Sequence, residues 1–274
     1  MGSSFSFDST DLGDGTAGTY GLIVEKTSLQ GSAAPALDVQ IPPQGLGVVQ
    51  AAHHGARAIG LNCIVRGASE ADVFTKIDSL IFKLDPRNGP KALKLDQIGN
   101  RYWLATLASP PNFEWAGGLA ARTTLNFIAA DQYGYSTTES DDSFSLVSSP
   151  DTFNVESAGA VGGTAHARPV WYVRNETGGS VGSVVLTNTT LAETTTWVGT
   201  LGDDYWLKFD SAAQQISKSA TNGSDPTGLT YTVSMGGWQT GSVFPRLKPA
   251  TQNACAVTGV SAGTVRWVYR ARYL

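Results

Sequence analysis

Two pairs of neighbouring acids, Asp141-Asp142 and Asp203-Asp204, are the first residues of this chain whose types and spacing suggest chemistry. Glycoside hydrolysis uses two carboxylates flanking one scissile bond. The first pair lies in a Ser- and Gly-rich stretch. The second leads directly into Tyr205-Trp206-Leu207-Lys208-Phe209, where solvated turn acids are the ordinary reading. His53-His54 offers two imidazoles, but adjacent residues of a strand point to opposite faces, and no second pair of ligands stands at metal spacing. His166 is isolated and reads as a loop or subunit contact. Gly13-Asp14-Gly15-Thr16-Ala17-Gly18 spells the dinucleotide-binding pattern, yet no buried strand precedes it and no helical face follows, so the βαβ unit that gives the pattern its meaning is missing. Cys63 and Cys255 are far apart among apolar residues and read as buried, reduced thiols. No Ser-His-Asp or Cys-His set has a local sequence that suggests an activated nucleophile. The expectation is therefore no enzyme, with no catalytic, cofactor or metal site.

Aromatic side chains provide one further class of site. Five tryptophans, Trp171, Trp197, Trp206, Trp238 and Trp267, fall after residue 165. Most aromatics fill cores, but an exposed one can stack on a sugar ring. Trp197, on a Thr-rich strand, and Trp238, beside Gly236-Gly237, are the candidate carbohydrate-stacking residues.

The elements that must position these residues are mostly strands. Ile59, Leu61, Cys63 and Val65 alternate with Gly60, Asn62 and Ile64, the period of a strand with one well-buried face. Ser69, with Asp72 three residues on, starts a helix over about 69–84. Phe74, Ile77, Ile81 and Leu84 recur on one of its faces, and Asp85-Pro86 ends it. Residues 91–107 read as two strands joined at Gly99-Asn100, and 121–129 as another closing at Asp131-Gln132-Tyr133. Residues 136–164 are dominated by Ser, Asp, Gly and Thr, with few large apolar residues, and read as a linker. From there to the end, short strands recur with no helical period, as in a β-sandwich or jelly roll. The last of them, Trp267 to Leu274, needs a sheet to bury Trp267, Tyr269 and Tyr273. The fold class is thus mainly β, with a first domain over 1–135 built on strands around one helix, a linker over 136–164 and an all-β second domain over 165–274. Residues 20–54 read as a long Gly- and Pro-containing excursion, with brief strand material only at 22–25 and 38–41, of the kind that is functional or ordered by partners.

At 274 residues the chain is long enough to bury a core without staples. Charged residues make up only 15%, against roughly 25% in soluble domains, which suits a surface covered by neighbouring subunits. A net charge of −4 argues against gripping nucleic acid by neutralising phosphates. No apolar run approaches the length of a membrane span, and Met1-Gly2-Ser3-Ser4-Phe5 lacks a basic n-region and an apolar h-region, so no signal peptide and no membrane insertion are expected.

Several short stretches also carry a resemblance. Arg168-Pro169, Thr200-Leu201-Gly202-Asp203 before a strand ending in Asp210, Phe244-Pro245-Arg246-Leu247-Lys248-Pro249, Asn253, and the Tyr269-Arg270-Ala271-Arg272-Tyr273-Leu274 ending resemble the C-terminal domain of distal tail proteins of long-tailed bacteriophages. Gly55-Ala56-Arg57-Ala58-Ile59, the helix, Arg101-Tyr102-Trp103 and Asp131-Gln132-Tyr133 resemble the ring-forming half of that family. Ala250 stands where the family often has glycine after proline, and Gln132 where it often has proline. The resemblance implies a β-barrel or sandwich-like ring-forming first domain and a galectin-like second one. It implies a homohexameric ring at the tail tip, around a channel for DNA. The implied partners are further copies of the chain, the tail tube protein, and a hub, fibre or receptor-binding protein. The protein would then be a virion component assembled in the host cytoplasm. The alternative is a carbohydrate-binding adhesion module that uses the second domain.

Overall fold

In a computed structural model the protein is described over residues 4–13, 18–29, 35–40, 48–156 and 159–274, with 35–40 and 48–54 as backbone strands only. It divides into two compact units, Met1–Thr137 and Thr138–Tyr273, each with its own apolar core. The architecture is mainly β in both, as the alternating patterns require.

In the first unit, strand Arg57–Arg66 is central. It pairs along its whole length with Ala120–Ala129, from Arg57↔Ala129 to Arg66↔Ala120, and on its other side with Leu22–Leu29. Beyond Ala120–Ala129 come Arg101–Leu107, then Lys91–Leu95, then Phe5–Phe7. The sheet curls so far that its outermost strand meets its middle: the rings of Phe5 and Phe7 lie 6.3 and 5.6 Å from that of Phe127. Strand alternation sends Ile59, Leu61, Cys63 and Val65 inward with Leu125 and Phe127, and the opposite face outward. At the start of Leu22–Leu29 the chain turns at Gly21, whose φ is +57° and where a Cβ would stand 2.2 Å from the Arg66 carbonyl oxygen, so only glycine fits.

The helix runs Glu70–Lys83. Ser69 caps it, its Oγ accepting from the Asp72 amide at 3.2 Å, while the Asp72 carboxylate accepts from the Ala68 amide at 2.7 Å. Its buried face differs from the expected one. Val73, Ile77, Leu80 and Leu84 enter the core, whereas Phe74 and Ile81 are 55% and 44% exposed. Ile77 and Leu84 belong to both helical series in this sequence. Adjacent residues are 100° apart around the axis, so seating Val73 and Leu80 leaves Phe74 and Ile81 on the flank.

The second unit is a β-sandwich. One sheet runs Tyr231–Val233, Gln215–Ser219, Trp206–Asp210, Val170–Asn175 and Gly263–Tyr273, with Gly134–Leu146 beside the last; the other runs Asp151–Val155, Asn253–Thr258, Val181–Asn188 and Glu193–Leu201. Between them Phe153 stacks on Trp267 at 5.1 Å and meets Trp171 edge-on at 6.3 Å. The chain's last strand buries Val265, Trp267 and Tyr269, as its alternation predicts, but the alternation slips at Arg270-Ala271, so that Arg272 is buried and Tyr273, expected inside, is only half-buried. At the end of the second sheet, Glu193–Leu201 does not present a bare edge. The Gln239 amide donates to the Thr196 carbonyl at 3.1 Å, the Thr196 amide to Ser242 Oγ at 3.0 Å, and the Val243 amide to the Thr194 carbonyl at 2.8 Å, so residues 238–243 lie along it.

Residues 136–164, expected as a linker, instead hold most of Gly134–Leu146 and the whole of Asp151–Val155. Leu146, Phe153 and Val155 enter the sandwich core. The outward residues are Ser, Thr, Asp and Glu, so composition reads as a linker even though the alternate residues build sheet.

Candidate functional site

The acid pairs do not converge on a cleft. Asp141 is a cross-strand ion partner: its two oxygens accept from Arg266 Nε and Nη2 at 2.7 and 2.5 Å, and Arg266 Nη1 donates to Asp225 at 2.9 Å. That fork of hydrogen bonds holds the Asp141 carboxyl below its usual range, and backbone hydrogen bonding at Thr227 does the same for Asp225. Asp142 accepts from the Ser143 amide at 2.8 Å. Asp203 accepts from the Gly178 amide at 2.9 Å, and Asp204, in the left-handed region at φ 62°, pairs with Arg174 at 3.0 Å. A glycosidase acid needs a carboxyl pushed upward. The carboxyls with a definite shift, Asp72, Asp85, Asp141 and Asp225, are all pushed down.

His166 is half-buried, and burial together with nearby Arg246 lowers its pKa, which favours a neutral ring. Among the described residues no group of three or more His, Cys, Asp or Glu side chains could hold a metal ion. The His53 and His54 side chains, and most of Gly13 to Gly18, lie outside the described residues. Cys63 and Cys255 are free and buried, and burial pushes both thiols up to about 12, so neither is a nucleophile near neutrality.

The two candidate tryptophans part company. The backbones of Trp197 and Trp238 form a bridge, but Trp197 is only 2% exposed. Its Nε1 donates to the carbonyl and to Oγ of Ser234, both at 3.1 Å, so the ring is core and cannot stack on a sugar. Its Thr-rich neighbours misled the expectation, because a strand alternates and the threonines occupy both faces. Trp238 is 41% exposed and rests on the Phe244 ring at 5.8 Å.

The stretch around Phe244 to Asn253 proves to be a latch. Arg246 offers its backbone amide and Nε to the two oxygens of Glu193, each at 2.8 Å. Asn188 Nδ2 donates to the Arg246 carbonyl at 2.5 Å and to Asn253 Oδ1 at 3.1 Å, while Asn253 Oδ1 also accepts from the Lys248 amide at 2.8 Å. Pro245 accepts from Trp171 Nε1 at 3.3 Å and from Ser211 Oγ at 2.9 Å. Asn188 and Asn253 are completely buried and bonded, which fastens this segment across the sandwich.

Part of what the first unit offers to solvent is apolar. Phe82 is 80% exposed, Trp115 51% and Leu119 41%, and Trp115 meets Phe74 edge-on at 5.6 Å. An open groove beside them is lined by Ile81, Phe82, Leu84, Leu107, Pro110 and Pro111. Sequence reading missed this surface, although apolar residues at 73, 74, 77, 80, 81, 82 and 84 are more than one buried face of a helix can absorb. Exposed apolar patches of this kind mark protein or membrane contacts and ligand-binding grooves.

With that geometry in view, comparison with known proteins gives the class first. Residues 18–129 match the family model of the phage tail protein RIFT-related domain, so the first unit carries a domain of that kind. None of the curated proteins matches the sequence. Over its whole length the chain shares its fold with solved phage proteins. It aligns with the crystal structure of SPP1 Dit (gp 19.1), described as a paradigm of the hub adsorption apparatus in phages infecting Gram-positive bacteria, at a TM-score of 0.71 and 16% identity over 99% of each chain. It also aligns with chains of the phage P2 baseplate in its activated conformation. With Ca the TM-score is 0.51 at 10% identity over 99% of this chain and 98% of the other; with Sr it is 0.50 at 10% over 98% and 97%. Among the described residues no helix is long and apolar enough to cross a membrane.

Proposed function

We propose that this protein is a structural component of a phage tail: a ring of six copies at its distal end that joins the tail tube to the tail tip and leaves a channel for DNA. The observation that carries this reading is the alignment of both units, across 99% of each chain, with a protein described as the hub of an adsorption apparatus. The tail-domain match over residues 18–129 and the exposed apolar helix strip support it. One face of the ring meets the tail tube protein and the other a hub, fibre or receptor-binding protein. A net charge of −4 suits a passage that repels phosphate rather than holding it. The protein acts in the virion tail after assembly in the host cytoplasm, and by binding rather than catalysis. Negative-stain images and light scattering of the purified chain test this. Six-fold annuli are expected, and a particle that stays monomeric at high concentration overturns it.

A second reading is favoured by one observation, the half-exposed indole of Trp238 on Phe244. In it the second unit holds a glycan by stacking. Binding on a glycan array that Trp238→Ala abolishes is the expected result, and an array silent for the wild-type chain removes the reading.

A further inference from the structure

We propose that copies of the first unit associate head to tail, the outer strip of the helix on one copy seating on the outer face of the sheet on the next. This rests on the ring reading above and names the surfaces that close it.

The strip consists of Glu70, Phe74, Asp78, Ile81 and Phe82, which at 100° per residue fall within about 120° of the helix circumference. Phe82, Phe74 and Ile81 are 80%, 55% and 44% exposed, an apolar patch that a monomer has no reason to keep. The seat is a second surface of the unit. The helix packs through Val73, Ile77 and Leu80 against the inner side of the sheet, and the outward face of the same strands has small side chains at its centre, with Lys26, Arg66 and the Glu25–Arg122 ion pair towards one end. At its centre Asn126, Gly60 and Ser28 stand side by side across three strands, with Ile128, 45% exposed, at the margin. A Cβ on Gly60 would find its nearest neighbours at 3.6 and 3.7 Å, so this glycine answers no internal crowding and leaves a shallow depression open to a protruding ring.

Charge matches the two surfaces. Glu70 and Asp78 on the strip are in no ion pair among the described residues, while the nearby bases Lys83 and Arg87 are engaged by Asp8 and Asp85. On the outer face of the sheet Lys26 and Arg66 are exposed and likewise outside any ion pair among the described residues. Glu70 and Asp78 are separated by about 12 Å of helical rise. Lys26 pairs opposite Asn62, four residues from Arg66, a separation of about 13 Å along the strand. Strip and seat are two different surfaces of one unit, so each junction leaves a free strip on one copy and a free seat on the other. The junction repeats until the rotation closes a ring.

The test uses the full chain and sedimentation or light scattering. A strip variant, Ile81→Asp with Phe82→Asp, and a seat variant, Gly60→Glu, are each expected to remain monomeric at concentrations at least tenfold above those at which the wild type forms rings. Melting of the strip variant should be unchanged, since its altered side chains are exposed. Mixed one to one the two variants should yield dimers and nothing larger, because each pair keeps only one intact junction. Asp78→Lys should weaken assembly and Lys26→Glu in the same chain should restore it. Asn126→Arg is the second seat variant should Gly60→Glu not fold. Rings that persist in the strip variants or in the seat variants overturn the proposal, as does a seat variant that assembles normally while the strip variant fails, since the strip then meets another surface. A wild-type chain that never assembles overturns the ring reading itself.

Discussion

The two units solve the same problem, burying one face of β-strands, with opposite remainders. The sandwich turns much of its polar and aromatic content inward: Asn188, Asn253 and Glu193 are bonded inside it, and Trp171, Trp197 and Trp267 lie in its core, with Trp238 the tryptophan left half-exposed. The helix-bearing unit buries Val73, Ile77 and Leu80 and leaves Phe74, Ile81 and Phe82 outside. Apolar surplus is therefore a mark of where a chain expects company, and polar closure a mark of self-sufficiency.

Core deletion gives the largest effect. Trp267→Ala removes the ring stacked on Phe153 and is expected to lower the stability of the sandwich by about 3–5 kcal/mol, read by calorimetry. A loss under 1 kcal/mol would mean that the sandwich core is slack and the contrast false. Next comes the latch. Asn253→Ala strands the Lys248 amide and takes one of two acceptors from Asn188 Nδ2, and should cost about 2–3 kcal/mol, measured by urea unfolding; a neutral result would show that the polar closure does not hold the sandwich. In the first unit, Ser69→Ala removes the helix cap and should cost about 1 kcal/mol, whereas Phe82→Ser should leave monomer stability within about 0.5 kcal/mol. A large penalty for the latter would mean that the exposed strip serves its own fold.

The smallest effect is electrostatic. The folded pKa of Asp141 is depressed, chiefly by the Arg266 hydrogen bonds, so its contribution is present above the ordinary value of 3.8 and is lost as pH falls below it. The carboxylate side chain is 39% exposed, so solvent screening keeps the effect under about 1 kcal/mol. Acid titration of the sandwich should show a shallower decline in Asp141→Asn than in the wild type, and identical profiles would remove the pair from the account.

Much of this was legible in the chain itself. Strand Arg57–Arg66, the helix with its Ser69 start and the aromatic final strand are all visible because burial period and capping chemistry are local properties. The helix's buried face was not, because two apolar series share Ile77 and Leu84 and only tertiary packing chooses between them. Gly134–Leu146 was hidden by its solvent side, whose acids are partners of Arg266 and of Arg270 on a strand more than a hundred residues away. Of the candidate site residues, Trp238 keeps an open ring while Trp197 does not, a distinction set by Ser234 and Gly237 from a distant segment and by Gly199 on its own strand.

The segment 238–243 along strand Glu193–Leu201 bears on how the sandwich meets other chains. An uncovered rim of amides and carbonyls is an invitation to uncontrolled fibre growth by strand addition. Here the chain supplies its own selvedge from Thr194 to Thr196, so backbone pairing there is already taken and a neighbour has only side chains to meet.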